Sequence, residues 1–249
     1  MIPLFDRAGK KRHWPLVTWL LVVINITVFV YELSLSPGQL ECVFHDYGVI
    51  PQYLAAHMAQ PSLPGEVCTL YDVPNPLLMT MISALFLHAG WLHLAGNMLF
   101  LLIFGDNVED RLGHLGFVLL YLVCGLAGMV AQTLADPQAT TPIIGASGAV
   151  AGVLAGYLVL FPGVPVRTLF FVILLDLPAW LVIGLWVVVQ ALSSLTAFDA
   201  DAQATGGVAY FAHLGGFATG LVLVLLYRWF GPAPAAPRSA PDAAKPTSE

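Results

Sequence analysis

IIGASGAVAG, Ile143–Gly152, is the stretch on which the fold turns. It opens an uncharged run that continues to residue 162. A run of about 20 apolar residues is long enough to cross a bilayer. Within it a single hydroxyl, Ser147, is followed by small residues. In lipid a lone polar side chain costs free energy unless it is paired or wet. The position of Ser147 therefore asks for a partner.

The rest of the chain has the same character. Of 249 residues, 58% are hydrophobic and 10% charged, where soluble domains run near about 25% charged. The pattern predicts an all-α membrane protein with six spans, at about 15–33, 89–105, 115–135, 143–162, 179–195 and 208–227. Residues 77–87 are apolar but too short to cross, and are read as lying at the interface. Residues 164–177 are also read as interfacial. Asp176-Leu177-Pro178 then starts span five, with Pro at a helix start.

The basic residues support this count. With six spans and a cytoplasmic N-terminus, all nine Lys and Arg fall on the cytoplasmic side, as the positive-inside bias requires. A seventh span at 77–87 would place five of them outside. Both termini are therefore expected in the cytoplasm. Residues 1–13 form an N-terminal segment, 14–228 the membrane domain, and the Pro/Ala-rich 229–249 a disordered tail. The first apolar run is long enough to remain as an anchor rather than a cleaved signal. A net charge of −6 and the lack of a basic patch leave no site for nucleic acid. Cys124 reads as a small filler, while Cys42 and Cys68 share the first outer loop and form a candidate disulfide. Trp14, Trp19, Trp91 and Trp229 near span ends fit interfacial belts.

Few polar residues lie at membrane depth. Asn25 and Gln132 read as interhelical glue, and Gln190 as either glue or part of a substrate path. His93 and Asn97 lie in the first half of span two on one helix face. Ser147 lies near the outer end of span four, and His213 about a turn into span six. These side chains share a layer below the outer surface, which predicts a common, partly hydrated site. Gly148, Gly152 and Gly156 recur along span four, and Gly216 and Gly220 along span six. Small residues at this spacing let helix backbones approach closely.

This layer carries a chemistry. A serine hydroxyl becomes a nucleophile when a base takes its proton, and a neutral imidazole is the usual base. Glu32, Asp136, Asp199 and Asp201 are read as loop residues, so the sequence predicts a Ser147–His213 dyad rather than a triad. Free N–H groups at the helix start, with Asn97 and His93, are the candidate oxyanion donors. The scheme uses no metal and no other cofactor.

At these residues the chain resembles the rhomboid family of intramembrane serine proteases. GASG at Gly145–Gly148, HLAGN at His93–Asn97, AHLGGFATG at Ala212–Gly220 and FGDNVEDRLG at Phe104–Gly113 resemble the family's motifs in order and spacing. The resemblance implies a six-helix rhomboid bundle, Ser147 as nucleophile, His213 as base, and Asn97, His93 and the Ser147 amide lining the oxyanion site. It implies membrane-anchored protein substrates cut in or near a transmembrane segment. Together with the topology it places the protein in a bacterial cell membrane, with the site opening to the extracytoplasmic side. Two departures stand out. Some members carry a tyrosine four residues after the serine, under the histidine, where this chain has Ala151. Many carry a Trp-Arg pair in the first loop, which here contains no Arg.

Other chemistries fit worse. No His-Glu-x-x-His is present for a zinc protease, and His88 and His93 lie on different helix faces. His88 reads as structural or as part of the site mouth, and His45, His57 and His114 as solvated. Glu109 with Arg111 reads as an inner loop clamp. No internal repeat marks a transporter. The rival reading is an inactive rhomboid-like protein that binds membrane clients, whose relatives tend to lack the Ser or the His. The client, the cleavage sequence and the oligomeric state are not legible in the sequence.

Overall fold

The computed structural model describes residues 1–9, 11, 13–59, 77–195 and 208–231. The apolar runs are helical. Helix α1 spans Leu16–Leu33, α2 Pro37–Tyr47, α3 Pro51–Ala59 and α4 Leu77–Ser83, the last extended by a 3₁₀ turn at Ala84–Phe86. Helix α5 spans Trp91–Phe100 and runs through a π-helical segment, Leu101–Gly105, into α6, Asp106–Ala135. Helix α7 spans Ser147–Leu160, α8 Ala179–Ser194 and α9 Tyr210–Phe230. Among the described residues three helical stretches are long and apolar enough to cross a membrane, namely Leu16–Leu33, Trp91–Ala135 and Tyr210–Phe230. Leu77–Phe86, Ser147–Leu160 and Ala179–Ser194 are apolar but shorter.

The core is built around α7, in which every residue from Gly148 to Tyr157 is buried. Helices α6 and α9 flank it, and glycines set their approach. A Cβ on Gly128 of α6 would lie 2.6 Å from the Ala212 carbonyl oxygen of α9 and 3.4 Å from the Gly148 Cα of α7. Cys124 is fully buried against Gly152, the filler role expected of it. The long Trp91–Ala135 stretch is not one straight rod. His93 near its start lies against Gly145, and Gln132 near its end reaches the first turn of α9. Both ends thus meet the same end of the bundle, so the chain doubles back at Gly113, where φ is +74° and the helical geometry breaks. The segment read as a loop after span two is therefore a helical turn, Asp106–Leu112, ended by that glycine.

The fold is mostly helical, as expected, with one small sheet added to the helices. Residues 164–177, read as interfacial, fold as strands. Strand β2, Pro165–Phe170, and strand β3, Ile173–Pro178, form an antiparallel hairpin, and β1, Ile2–Asp6, pairs with β2. The N-terminal segment is thus part of the fold. Along β2, Val166 and Thr168 are buried, the period-two pattern of a strand with one covered face. Arg167 and Asp176 are cross-strand partners, with an ion pair at 2.8 Å, and Arg7 joins Asp176 at 3.0 Å. Pro178 is the residue before α8, as the sequence predicts. Asp176 does not cap that helix, because it is held in this charge cluster.

The sheet lies at the end of the bundle opposite Ser147. Tyr157 and Asn107 both bond to Asp6 of β1. Lys11 pairs with Asp106, the Arg111 carbonyl accepts from Tyr227, and Arg228 donates to the Val159 carbonyl. The described basic residues thus gather at one end. Glu109, buried there, accepts from Val17 N, Thr18 N and Thr18 Oγ1 at 2.7–2.8 Å and meets His114 Nδ1 at 2.6 Å. It clamps the start of α1 rather than Arg111, which lies over the Phe161 ring instead, while His114 is exposed, as expected, and also meets Glu109.

Candidate active site

The opposite end is built from Gly145 outward. Its N–H donates to the Ala84 carbonyl at 2.7 Å, and its φ of +114° suits glycine alone. A Cβ here would lie 2.5 Å from His93 Nε2 and 3.8 Å from Asn97 Nδ2. Glycine therefore lets the turn before Ser147 lie directly against both side chains. His93 Nδ1 accepts from Ala89 N at 3.4 Å, which places the ring proton on Nε2, the nitrogen beside Gly145. Asn97 is buried, and its Nδ2 has no hydrogen-bond partner among the described residues. Buried donors are nearly always paired, so this amide is a donor in need of an acceptor.

Ser147 is the first residue of α7 and half-buried. The helix's first closing bond runs from Val150 N to the Ala146 carbonyl at 2.9 Å. The N–H groups of Ser147, Gly148 and Ala149 precede it and have no acceptor within the helix. The positive end of the helix dipole adds to them.

His213 enters from α9. Gln132 of α6 bridges to that helix as expected, with Oε1 accepting from Phe211 N at 3.1 Å and Ala212 N at 3.3 Å. A Cβ on Gly148 would lie 3.3 Å from the Ala212 carbonyl oxygen, so α7 and α9 touch by backbone beside both Ser147 and His213. His213 is 9% exposed, and its Nδ1 lies 2.7 Å from Gln190 Oε1 of α8. The Trp186 ring lies 5.8 Å from the imidazole. Among the described hydrogen bonds none joins Ser147 to His213. Such contacts are often loose without substrate and tighten in the reacting complex.

One further residue of this layer departs from the sequence reading. Glu32 is not a loop residue. It is buried in the last turn of α1, where Oε1 accepts from His88 N at 3.0 Å. His88 is buried and bonded, with Nδ1 3.2 Å from the Phe86 carbonyl and its ring 5.0 Å from that of His93. Asn25 Nδ2 donates to the Leu21 carbonyl of its own helix at 2.7 Å, and its side chain also meets the Tyr121 hydroxyl of α6, the interhelical role expected of it. Gln190, read as interhelical glue or part of a substrate path, does join two helices, and the one point the sequence left unnamed is that its partner is His213. The proposed Cys42–Cys68 bridge involves Cys68, which lies outside the described residues.

A family model for the Rhomboid domain matches residues 76–230. The chain is 32% identical to "Rhomboid-like protein 11, chloroplastic" of Arabidopsis thaliana over 72% of this chain and 62% of that protein. It is 33% identical to "Rhomboid protein 1, mitochondrial" of Saccharomyces cerevisiae over 61% of this chain and 41% of that protein. It is 26% identical to "RHOMBOID-like protein 2" of Arabidopsis thaliana over 90% of this chain and 71% of that protein. The chain thus spans less than two thirds of the chloroplast and yeast proteins.

Proposed function

The chain belongs to the rhomboid family and is an integral membrane protein, and on that premise we propose that it is an intramembrane serine endopeptidase. Ser147 is the nucleophile and His213 its base. The observation that carries this reading is the unpartnered Asn97 Nδ2, buried beside Gly145 and His93 at the mouth of α7. A donor set of this kind suits a charge that appears only during reaction.

In the proposed cycle a single-pass or membrane-anchored client protein enters from the bilayer, and its helix end unwinds into the site. His213 takes the Ser147 proton as the oxygen attacks the scissile carbonyl. The oxyanion rests on Asn97 Nδ2, His93 Nε2 and the free N–H groups that open α7. His213 then gives its proton to the leaving amine, and water releases the acyl group. The cycle needs no metal, nucleotide or other cofactor.

The proposed topology has six crossings, by α1, α5, α6, α7, α8 and α9. Helix α7, with 14 residues, measures roughly 21 Å against a hydrocarbon core of about 30 Å. It is enclosed by its neighbours, so the extended residues before it lie against protein and a wet site rather than lipid. The end that gathers the basic residues faces the cytoplasm in this reading, with both termini. In a bacterial inner membrane the site then opens on the extracytoplasmic side.

The absence of a Ser147–His213 hydrogen bond is what a non-cleaving rhomboid-like binding protein would also show. Purified protein with a single-pass substrate in detergent separates the two readings. The wild type is expected to cleave, and Ser147→Ala and His213→Ala to be inactive. Folded wild type that binds the substrate without cutting it would favour the binding protein.

A further inference from the structure

Among the described ring contacts of the His213 imidazole none comes from α7, where residue 151 is Ala. Two side chains of α8 meet it instead. Gln190 Oε1 lies 2.7 Å from Nδ1, and the Trp186 ring lies 5.8 Å from the imidazole with its plane tilted by 35°. Gln190 is itself buried, at 8% exposure. We infer that Gln190 is the positioning residue of His213, accepting the Nδ1 proton so that Nε2 is the free base for Ser147. This rests on the proteolytic reading above.

The chemistry supports the assignment. A neutral imidazole has one N–H and one free nitrogen, and the bond made by one nitrogen fixes the state of the other. A base for Ser147 needs its free pair on the nitrogen that meets the hydroxyl. With an acceptor at Nδ1 the proton stays there. Once His213 becomes an imidazolium it needs an acceptor at that nitrogen still more. An amide oxygen serves both states without adding a charge to the membrane interior, where an unpaired carboxylate is costly. Gln190 thus takes the place that a carboxylate holds in a triad, and does so from α8 rather than from either reacting helix.

Two substitutions separate positioning from packing. Gln190→Met keeps the volume and removes the acceptor. Gln190→Glu keeps an acceptor and adds a charge. With a single-pass substrate, Gln190→Met is expected to lower kcat about 10- to 100-fold, part of the 10²–10⁴ that a positioned base supplies. KM should stay within about twofold, and Gln190→Glu should retain most of the activity. A second readout is ¹⁵N NMR of histidine-labelled protein in micelles, with the His213 signals assigned by their loss in His213→Ala. The wild type should carry its proton on Nδ1, and Gln190→Met should show both tautomers. Wild-type kcat in Gln190→Met, equal losses in Met and Glu, or a wild-type proton on Nε2 would each overturn the inference. Ser147→Ala runs beside these variants. Wild-type activity that survives Ser147→Ala, or a folded wild type that is inactive, strikes the proteolytic reading itself, and the tautomer measurement then still decides the role of Gln190.

Discussion

Gly220 of α9 lies against Gly152 of α7 so closely that a Cβ on it would sit 2.5 Å from the Gly152 carbonyl oxygen and 2.6 Å from its Cα. Both neighbours are backbone, so neither can swing aside. Gly216, one turn earlier, meets Gly148 in the same way. These contacts set the spacing of the two helices that carry His213 and Ser147.

Gly220→Ala should therefore lower stability by about 1–3 kcal/mol, the usual cost of overpacking, and reduce cleavage. Gly184→Ala on α8 meets nothing within 4 Å and should be tolerated. Thermal unfolding in one detergent reads both. A Gly220→Ala protein as stable and active as the wild type would contradict the close helix contact.

Gly145→Ala faces two obstacles, the +114° φ and the His93 ring. It should displace His93 and lower kcat. Asn97→Ala removes the orphan donor without touching the backbone, and should cost on the order of 10²–10³ in kcat with little change in KM. Steady-state kinetics on a single-pass substrate checks both. Unchanged kcat in Asn97→Ala would remove this residue from the oxyanion site.

Much of this was legible before any coordinates. Helix positions followed from the length of the apolar runs, and the closeness of α7 and α9 from their glycines. The hairpin within residues 164–177 was not legible, because apolar residues such as Phe171 and Val172 are exposed at its tip and the strand period shows only at Val166 and Thr168. Strand β1 is five residues long and pairs across 160 or more positions, which no local pattern announces. Glu32 was misplaced although span one reaches residue 33, because a charge beside a span end reads as solvated and here it is turned inward. Gln190 reaches His213 through the relative rotation of two helices, which depth along the chain does not encode.

Glu109 holds the two backbone N–H groups and one hydroxyl at the start of α1 from a site that is 1% exposed. Glu109→Ala leaves those donors buried and unpaired, and should cost about 3 kcal/mol or more. Unfolding midpoints in mild detergent should fall clearly below wild type. A shift near zero would show that α1 needs no such clamp.

Asp6 tests the sheet end by pH. Burial raises its carboxyl above the ordinary 3.8, against the opposing pull of the Tyr157 hydroxyl and Lys11. The folded chain therefore keeps this proton to higher pH than the unfolded chain. Stability is lost from this source as pH rises above 3.8. Asp6→Asn retains an amide oxygen for Tyr157 and Asn107 and cannot ionise. Its melting temperature relative to wild type should rise with pH through the acid range. A difference that falls with pH would contradict the burial of this carboxyl.

The most direct test is to treat folded protein with a fluorophosphonate and locate the adduct by mass spectrometry, alongside cleavage of a single-pass substrate. The expected result is a covalent adduct on Ser147, its loss in His213→Ala, and no cleavage by either Ser147→Ala or His213→Ala. An adduct on another residue, or cleavage that persists in Ser147→Ala, would contradict the assignment of Ser147 as the nucleophile.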